Sequence, residues 1–205
     1  MKKRNLEYEI TRAAEKLFIE KGFDATSTTD ITNLAGCNQA LVNYYFRSKE
    51  KLFQTIFSKK VERVLSFMTL AECSDITLSD FIRKFINAYF KELEANKKIP
   101  FFFINELVIN KKRRSFIREE IILSDKYLNF YSAFTTLVKK EIDKGAIRQI
   151  DASDLLLHII SLTVFTFISL PLYKDFFLKD AAAEKNYINS RKEEIITMII
   201  NGIRK

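Results

Sequence analysis

Gln39 and Asn43 stand four residues apart, about one turn of an α-helix, so on a helix their side-chain amides project from the same face. An amide held this way can bond two atoms of an adenine edge in the major groove of DNA. Ala40 and Leu41 beside them suit a thymine methyl. Tyr44 follows, and Arg47, Lys49 and Lys51 lie just beyond, placed for phosphate oxygens. Such a set reads a polymer rather than breaking a bond. Catalysis has little to work with: one His (His158), four Gly with no two close together, and two Cys, Cys37 and Cys73. They make no phosphate-cradling loop, no Cys/His metal spacing and no nucleophile elbow. The carboxylate pairs Glu119-Glu120 and Glu193-Glu194 fall on charged helical faces and read as solvated. No enzyme, metal site or cofactor is expected.

The elements that must position these side chains can be read from caps and periodicity. Leu6, Ile10, Ala13, Ala14, Leu17 and Phe18 form one apolar stripe of a helix over about 6–21, and Gly22 follows as its C-terminal cap. Ser27-Thr28-Thr29-Asp30 reads as a capping box that starts a short helix carrying Ile31, Leu34 and Ala35. Gly36 ends it, Asn38 caps the next, and Val42, Tyr45 and Phe46 lie on one side of that helix, with Tyr45 half core. Ser48 caps a fourth helix. Two short helices joined by a glycine-containing turn describe a helix-turn-helix. On spacing alone, a DNA-reading helix and a polar hairpin with a solvated face stand level.

The chain has 205 residues, with 34 Lys+Arg against 26 Asp+Glu and a net charge of +8. Residues 1–60 hold 11 Lys+Arg and 7 Asp+Glu, a net +4, and the remaining 145 residues carry only the same excess. An anion-binding surface therefore belongs in the N-terminal third. Four Gly and two Pro are too few for a turn-rich β fold, so the chain should be all-α. Met-Lys-Lys-Arg opens like a signal peptide, but Glu7 and Glu9 occupy the place of its apolar core. A cytoplasmic location with reduced thiols is the expectation.

From Gly22 to Leu52 the chain reads GFDATSTTDITNLAGCNQALVNYYFRSKEKL. This stretch resembles the DNA-binding domain of the TetR family of transcriptional regulators. That pattern has G-x-x-x-T-[ST], a short helix ending in A-G, a small cap residue, a helix ending Y-x-[HY]-F, and S-K-x-x-L. The chain departs from it at Asn43, where many members have Tyr, and at Leu41, often Thr. The resemblance implies an N-terminal three-helix head over 1–48 and a larger helical ligand-binding and dimerisation domain over 49–205. It further implies that Thr28 and Thr29 meet phosphate and that Gln39, Ala40, Leu41 and Asn43 face base edges. Tyr44, Tyr45 and Lys49 would then reach the backbone. The implied partners are double-stranded DNA, a small-molecule effector and a second copy of the chain. The implied function is a ligand-responsive repressor on a pseudo-palindromic operator, released by an apolar or amphipathic effector.

Beyond residue 75 the periodicity gives helices near 79–96, 101–110, 115–144, 152–170 and 184–203. Residues 155–173 hold no charged side chain and are long enough to span a bilayer, so a membrane-anchored helical protein is the rival reading. His158, Ser161, Thr166 and Ser169 recur at nearly helical spacing and Pro171 interrupts the span. A buried helix at a pocket wall or subunit interface fits these better, with no membrane as partner. The last helix carries a dense Ile face, and Leu162, Ile195, Ile196, Ile199 and Ile200 are the expected dimer interface. The resemblance implies an effector pocket in this domain, expected among Phe102, Phe103, Glu106, Phe130, Phe134, His158 and Phe165, although each aromatic taken singly reads as plain core.

Overall fold

The computed structural model describes residues 5–65, 76–101, 104 and 111–205. Their regular structure is helical apart from one antiparallel bridge between Ile147 and Arg204. The helices are α1 (Leu6–Lys21), α2 (Thr28–Ala35), α3 (Gln39–Phe46), α4 (Lys49–Leu65), α5 (Leu78–Ala95), α6 (Lys111–Ile117), α7 (Asp125–Asp143), α8 (Ala152–Phe177) and α9 (Ala181–Ile203). A five-residue π-helix, Arg118–Ile122, follows α6 directly. The chain is all-α, with an N-terminal helix-turn-helix head and a larger C-terminal helical part.

Two compact units form: Met1–Arg63 with Phe101–Glu120, and Val64–Pro100 with Ile121–Lys205. The expected boundary at residues 48/49 differs from this division. Leu52, Phe53, Ile56 and Phe57 of α4 are buried, and the Phe53 ring meets Phe18 and Phe23 at 5.6 and 5.0 Å between centroids. Lys60 of α4 also pairs with Glu15 of α1 at 2.6 Å. Removing α4 would open this aromatic core, so it belongs with the head through most of its length.

The head follows its local signals. Ile10, Ala13, Ala14, Leu17 and Phe18 are the buried stripe of α1. Gly22 takes φ +83° and its N–H closes on the Phe18 carbonyl at 3.0 Å. Gly36 takes the left-handed conformation, φ +64°, that the tight turn between α2 and α3 requires. Asn38 Oδ1 accepts from Leu41 N at 3.1 Å, and Ser48 Oγ from Lys51 N at 3.1 Å, so both helices are capped as expected.

In the larger unit the core is aromatic at one end and isoleucine-rich at the other. Phe81 and Phe85 of α5 meet Phe134 and Phe130 of α7 at 5.3 and 5.8 Å, and Phe90 meets Phe167 of α8 at 5.3 Å. The single helix expected over 115–144 is divided, because Ser124 starts α7 by accepting from Tyr127 N at 3.3 Å. Pro171 does not end α8, which runs on to Phe177. Tyr173 stacks on Tyr187 of α9 at 4.1 Å, and Lys174 pairs with Glu184 at 2.9 Å, so the last two turns gain partners that offset the lost backbone bond. Most of the helix expected over 101–110 lies outside the described residues.

Candidate nucleic-acid interface

The outer face of α3 is built by burying the opposite one. Val42 and Phe46 point into the head, which turns Gln39, Ala40 and Asn43 to solvent and leaves Leu41 half-buried. Tyr44 is 73% exposed, and its ring stands edge-on to Tyr45 at 5.1 Å between centroids. Tyr45, 38% exposed, is also within 6.3 Å of the Phe46 ring, so it lies at the margin of the packing face. The helix therefore offers two amides, a methyl and a phenol on one solvent-facing surface, a fit to base edges and adjacent phosphates.

The N-terminus of α2 is fixed by the capping box. Ser27 N donates to Asp30 Oδ2 at 2.9 Å, and Asp30 N donates to Ser27 Oγ at 3.0 Å. These bonds to Ser27, the backbone one first, hold the Asp30 carboxyl below the usual carboxylate range. Thr28, half-buried, and Thr29, exposed, form the first turn. There the N–H groups lack intrahelical partners and favour an anion. At the other end of the unit Arg47 takes φ +65°, uncommon for a residue with a side chain, and its N–H donates to Asn43 O at 3.0 Å.

Lys49 is engaged within the head. Its ammonium donates to the carbonyls of Phe23 at 3.0 Å and Thr26 at 2.8 Å, and sits 4.2 Å from the Phe23 ring centroid. Arg113 of α6, a residue sequence reasoning missed, is buried in the same place. Its Nη2 donates to Asp24 Oδ1 at 2.9 Å, and its guanidinium carbon lies 4.1 Å from the Phe23 ring centroid. The signal available was the basic run Lys111 to Arg114 beside Phe116, which periodicity alone does not connect to the head.

Residues 79–199 match the family model described as Tetracyclin repressor-like, C-terminal domain, and residues 10–56 match Bacterial regulatory proteins, tetR family. The chain belongs to the TetR family. A TetR-family head is also what a curated relative shares: the HTH-type transcriptional regulator QacR of Staphylococcus aureus is 37% identical over 54 residues, which span 26% of this chain and 29% of that protein. Whole-chain likeness comes from solved structures. The ketosteroid transcriptional regulator KstR2 of Mycobacterium tuberculosis aligns at TM-score 0.71 and 16% identity over 100% of this chain and 97% of that one. The fatty acid degradation regulator FadR of Bacillus halodurans aligns at 0.70 and 17% over 100% and 99%. At such identities these two speak for the TetR fold alone.

The remaining site expectations fare unevenly. Phe130 and Phe134 are buried among Phe81 and Phe85 and serve as core. Phe165 is 64% exposed. His158 is exposed beside an open groove shared with Val138, Ile142, Arg148, Asp151 and Asp154. Phe102, Phe103 and Glu106 lie outside the described residues. Ile195, Ile196, Ile199 and Ile200 are buried within their own unit, because α9 turns this face to α5 and α8; Leu162 is half-buried. In place of the isoleucines, the outer surface of α8 carries the large exposed apolar side chains.

Proposed function

We propose that this TetR-family regulator is a homodimeric repressor that reads a pseudo-palindromic operator with α3 and releases it when a small apolar or amphipathic effector binds the larger unit. The observation that carries the reading is the solvent face of α3, where Gln39, Ala40, Asn43 and Tyr44 stand exposed above buried Val42 and Phe46. Thr28 and Thr29 at the start of α2, with Tyr45 and Leu41 at the margins of α3, complete the contact surface. Two copies are needed because one short helix reads only a half-site, and a linked pair gains effective concentration. The surface available for pairing is on α8. Leu157, Phe165, Leu172 and Phe176 are 62–72% exposed and fall within about 100° of one another around the helix axis. Met198 of α9 is a further exposed apolar side chain in this unit.

By length and composition α8 is also the one described helix able to cross a bilayer. Its opposite face, with Leu155, Ile159, Thr163, Thr166 and Phe167, is buried within the unit, which favours a protein partner over lipid and a cytoplasmic regulator. An effector acts only through unequal affinity for the DNA-bound and released conformers.

The test is a footprint on the DNA adjoining the chain's own gene, followed by affinities for that duplex and a random one. Gln39→Ala or Asn43→Ala should cost roughly 1–3 kcal/mol per half-site on the operator and little on random DNA. Equal losses on both duplexes would show that α3 is not the reader.

A further inference from the structure

The loop between α1 and α2, residues 22–27, sets where the first turn of α2 lies, and two cations from distant parts of the sequence hold it. Lys49 spends two of its three N–H groups on the loop carbonyls of Phe23 and Thr26. Arg113 is 4% exposed, pairs with Asp24, and lies over the rings of Phe23 and Phe53 at 4.1 and 5.4 Å. Thr26 itself is buried and donates to Gly22 O at 2.7 Å. The next residue is Ser27, the N-cap of α2.

We propose that Lys49 and Arg113 are positioning residues for DNA binding: they lock the 22–27 loop so that α2 and α3 meet the duplex together, and neither contacts phosphate. The inference rests on the DNA-binding reading above. Arg113 is too buried to reach a phosphate, and Lys49 has two of its three N–H groups committed to the loop carbonyls. Arg113 arrives on α6, whose segment Phe101–Glu120 belongs to the head's compact unit although the chain on both sides belongs to the other. The grip on the loop thus comes from a segment covalently continuous at both ends with the larger unit.

The decisive variant is Asp24→Asn in the full chain. Asp24 is itself 74% exposed, and the substitution removes a negative charge from the head, the counter-charge of buried Arg113. Simple electrostatics then predicts tighter binding to any duplex, whereas loss of the charge that anchors Arg113 predicts binding weaker by about threefold or more. Affinities are measured on a mixed-sequence duplex and on the DNA adjoining the gene, across a salt series, with hydrogen exchange at the amides of residues 22–30. Lys49→Gln should weaken binding about tenfold with an unchanged salt slope, because a slope change of roughly 0.9 belongs to each lost phosphate contact. Both variants should speed exchange in the loop and the first turn of α2 while α9 exchanges as before. Tighter binding by Asp24→Asn, or a flatter slope for Lys49→Gln, would overturn the proposal. Wild-type protein that binds neither duplex would instead overturn the DNA-binding reading on which it stands.

Discussion

Helices α8 and α9 belong to the same unit, and they place their apolar side chains in opposite ways. On α9 the isoleucines at 188, 195, 196, 199, 200 and 203 form one stripe, all of it buried, with charged residues such as Glu193 and Glu194 outside. On α8 the apolar residues go nearly all the way round. One face is buried in the unit, and the other leaves Leu157, Phe165, Leu172 and Phe176 in solvent. The difference reverses the intuitive reading of the sequence. A clean amphipathic stripe is the mark of a helix satisfied by its own domain. Apolar surface in excess of one stripe is the mark of a helix that needs a second partner.

Ile196→Asp is the most damaging way to test that contrast. The side chain is fully buried, so the substitution leaves a carboxylate in an apolar core with no partner. We expect a loss of more than about 4 kcal/mol, read as collapse of the cooperative unfolding transition. A folded monomer instead would return the isoleucine stripe to the dimer interface and erase the distinction between the helices.

Phe165→Glu combined with Leu172→Glu makes the complementary test. Both positions are exposed in the single chain, and surface changes of this kind usually move stability by less than about 0.5 kcal/mol. Helix content and melting of the isolated chain should survive, while sedimentation should report a monomer at concentrations where the proposed wild-type dimer forms. Operator affinity should fall with it as the two half-sites lose their linkage. An unchanged dimer would move the pairing surface away from α8.

How much of this was legible depends on sequence distance. In the head, Ser27 with Asp30, Gly36, and Asn38 with Leu41 are partners within a few residues, and each formed as its local pattern indicated. The bonds of Lys49 to Phe23 and Thr26 cross 26 and 23 residues, and that of Arg113 to Asp24 crosses 89. No periodicity encodes such pairs. A lysine or arginine beside a solvent-facing motif is therefore read as a phosphate contact by default. The end of α8 went the same way: Pro171 is a local stop signal, and it was overridden by a ring stack and an ion pair to α9.

The smallest expected effect lies in that ion pair and concerns how α8 and α9 are joined. Glu184 is largely buried and accepts from Lys97, in the turn after α5, and from Lys174 of α8, so one carboxylate ties α8 and α9 to that turn. The bond from Lys97, then that from Lys174, holds its carboxyl below the usual carboxylate range. Lys174 is raised in turn, first by its bond to Glu184. A depressed carboxylate stabilises the folded state at every pH above its unfolded value, about 4.3, and loses that contribution as pH falls through the lower folded value. The raised ammonium does the reverse: its share is complete below the unfolded lysine value and fades as pH rises through the folded one. Glu184→Gln should therefore melt below the wild type at neutral pH, with the gap closing toward acid and narrowing again in strong alkali. Thermal melts from acid to alkaline pH would measure it. A gap independent of pH would mean that Glu184 acts by shape and hydrogen bonding alone, and that the tyrosine stack, not the charge, carries α8 past Pro171.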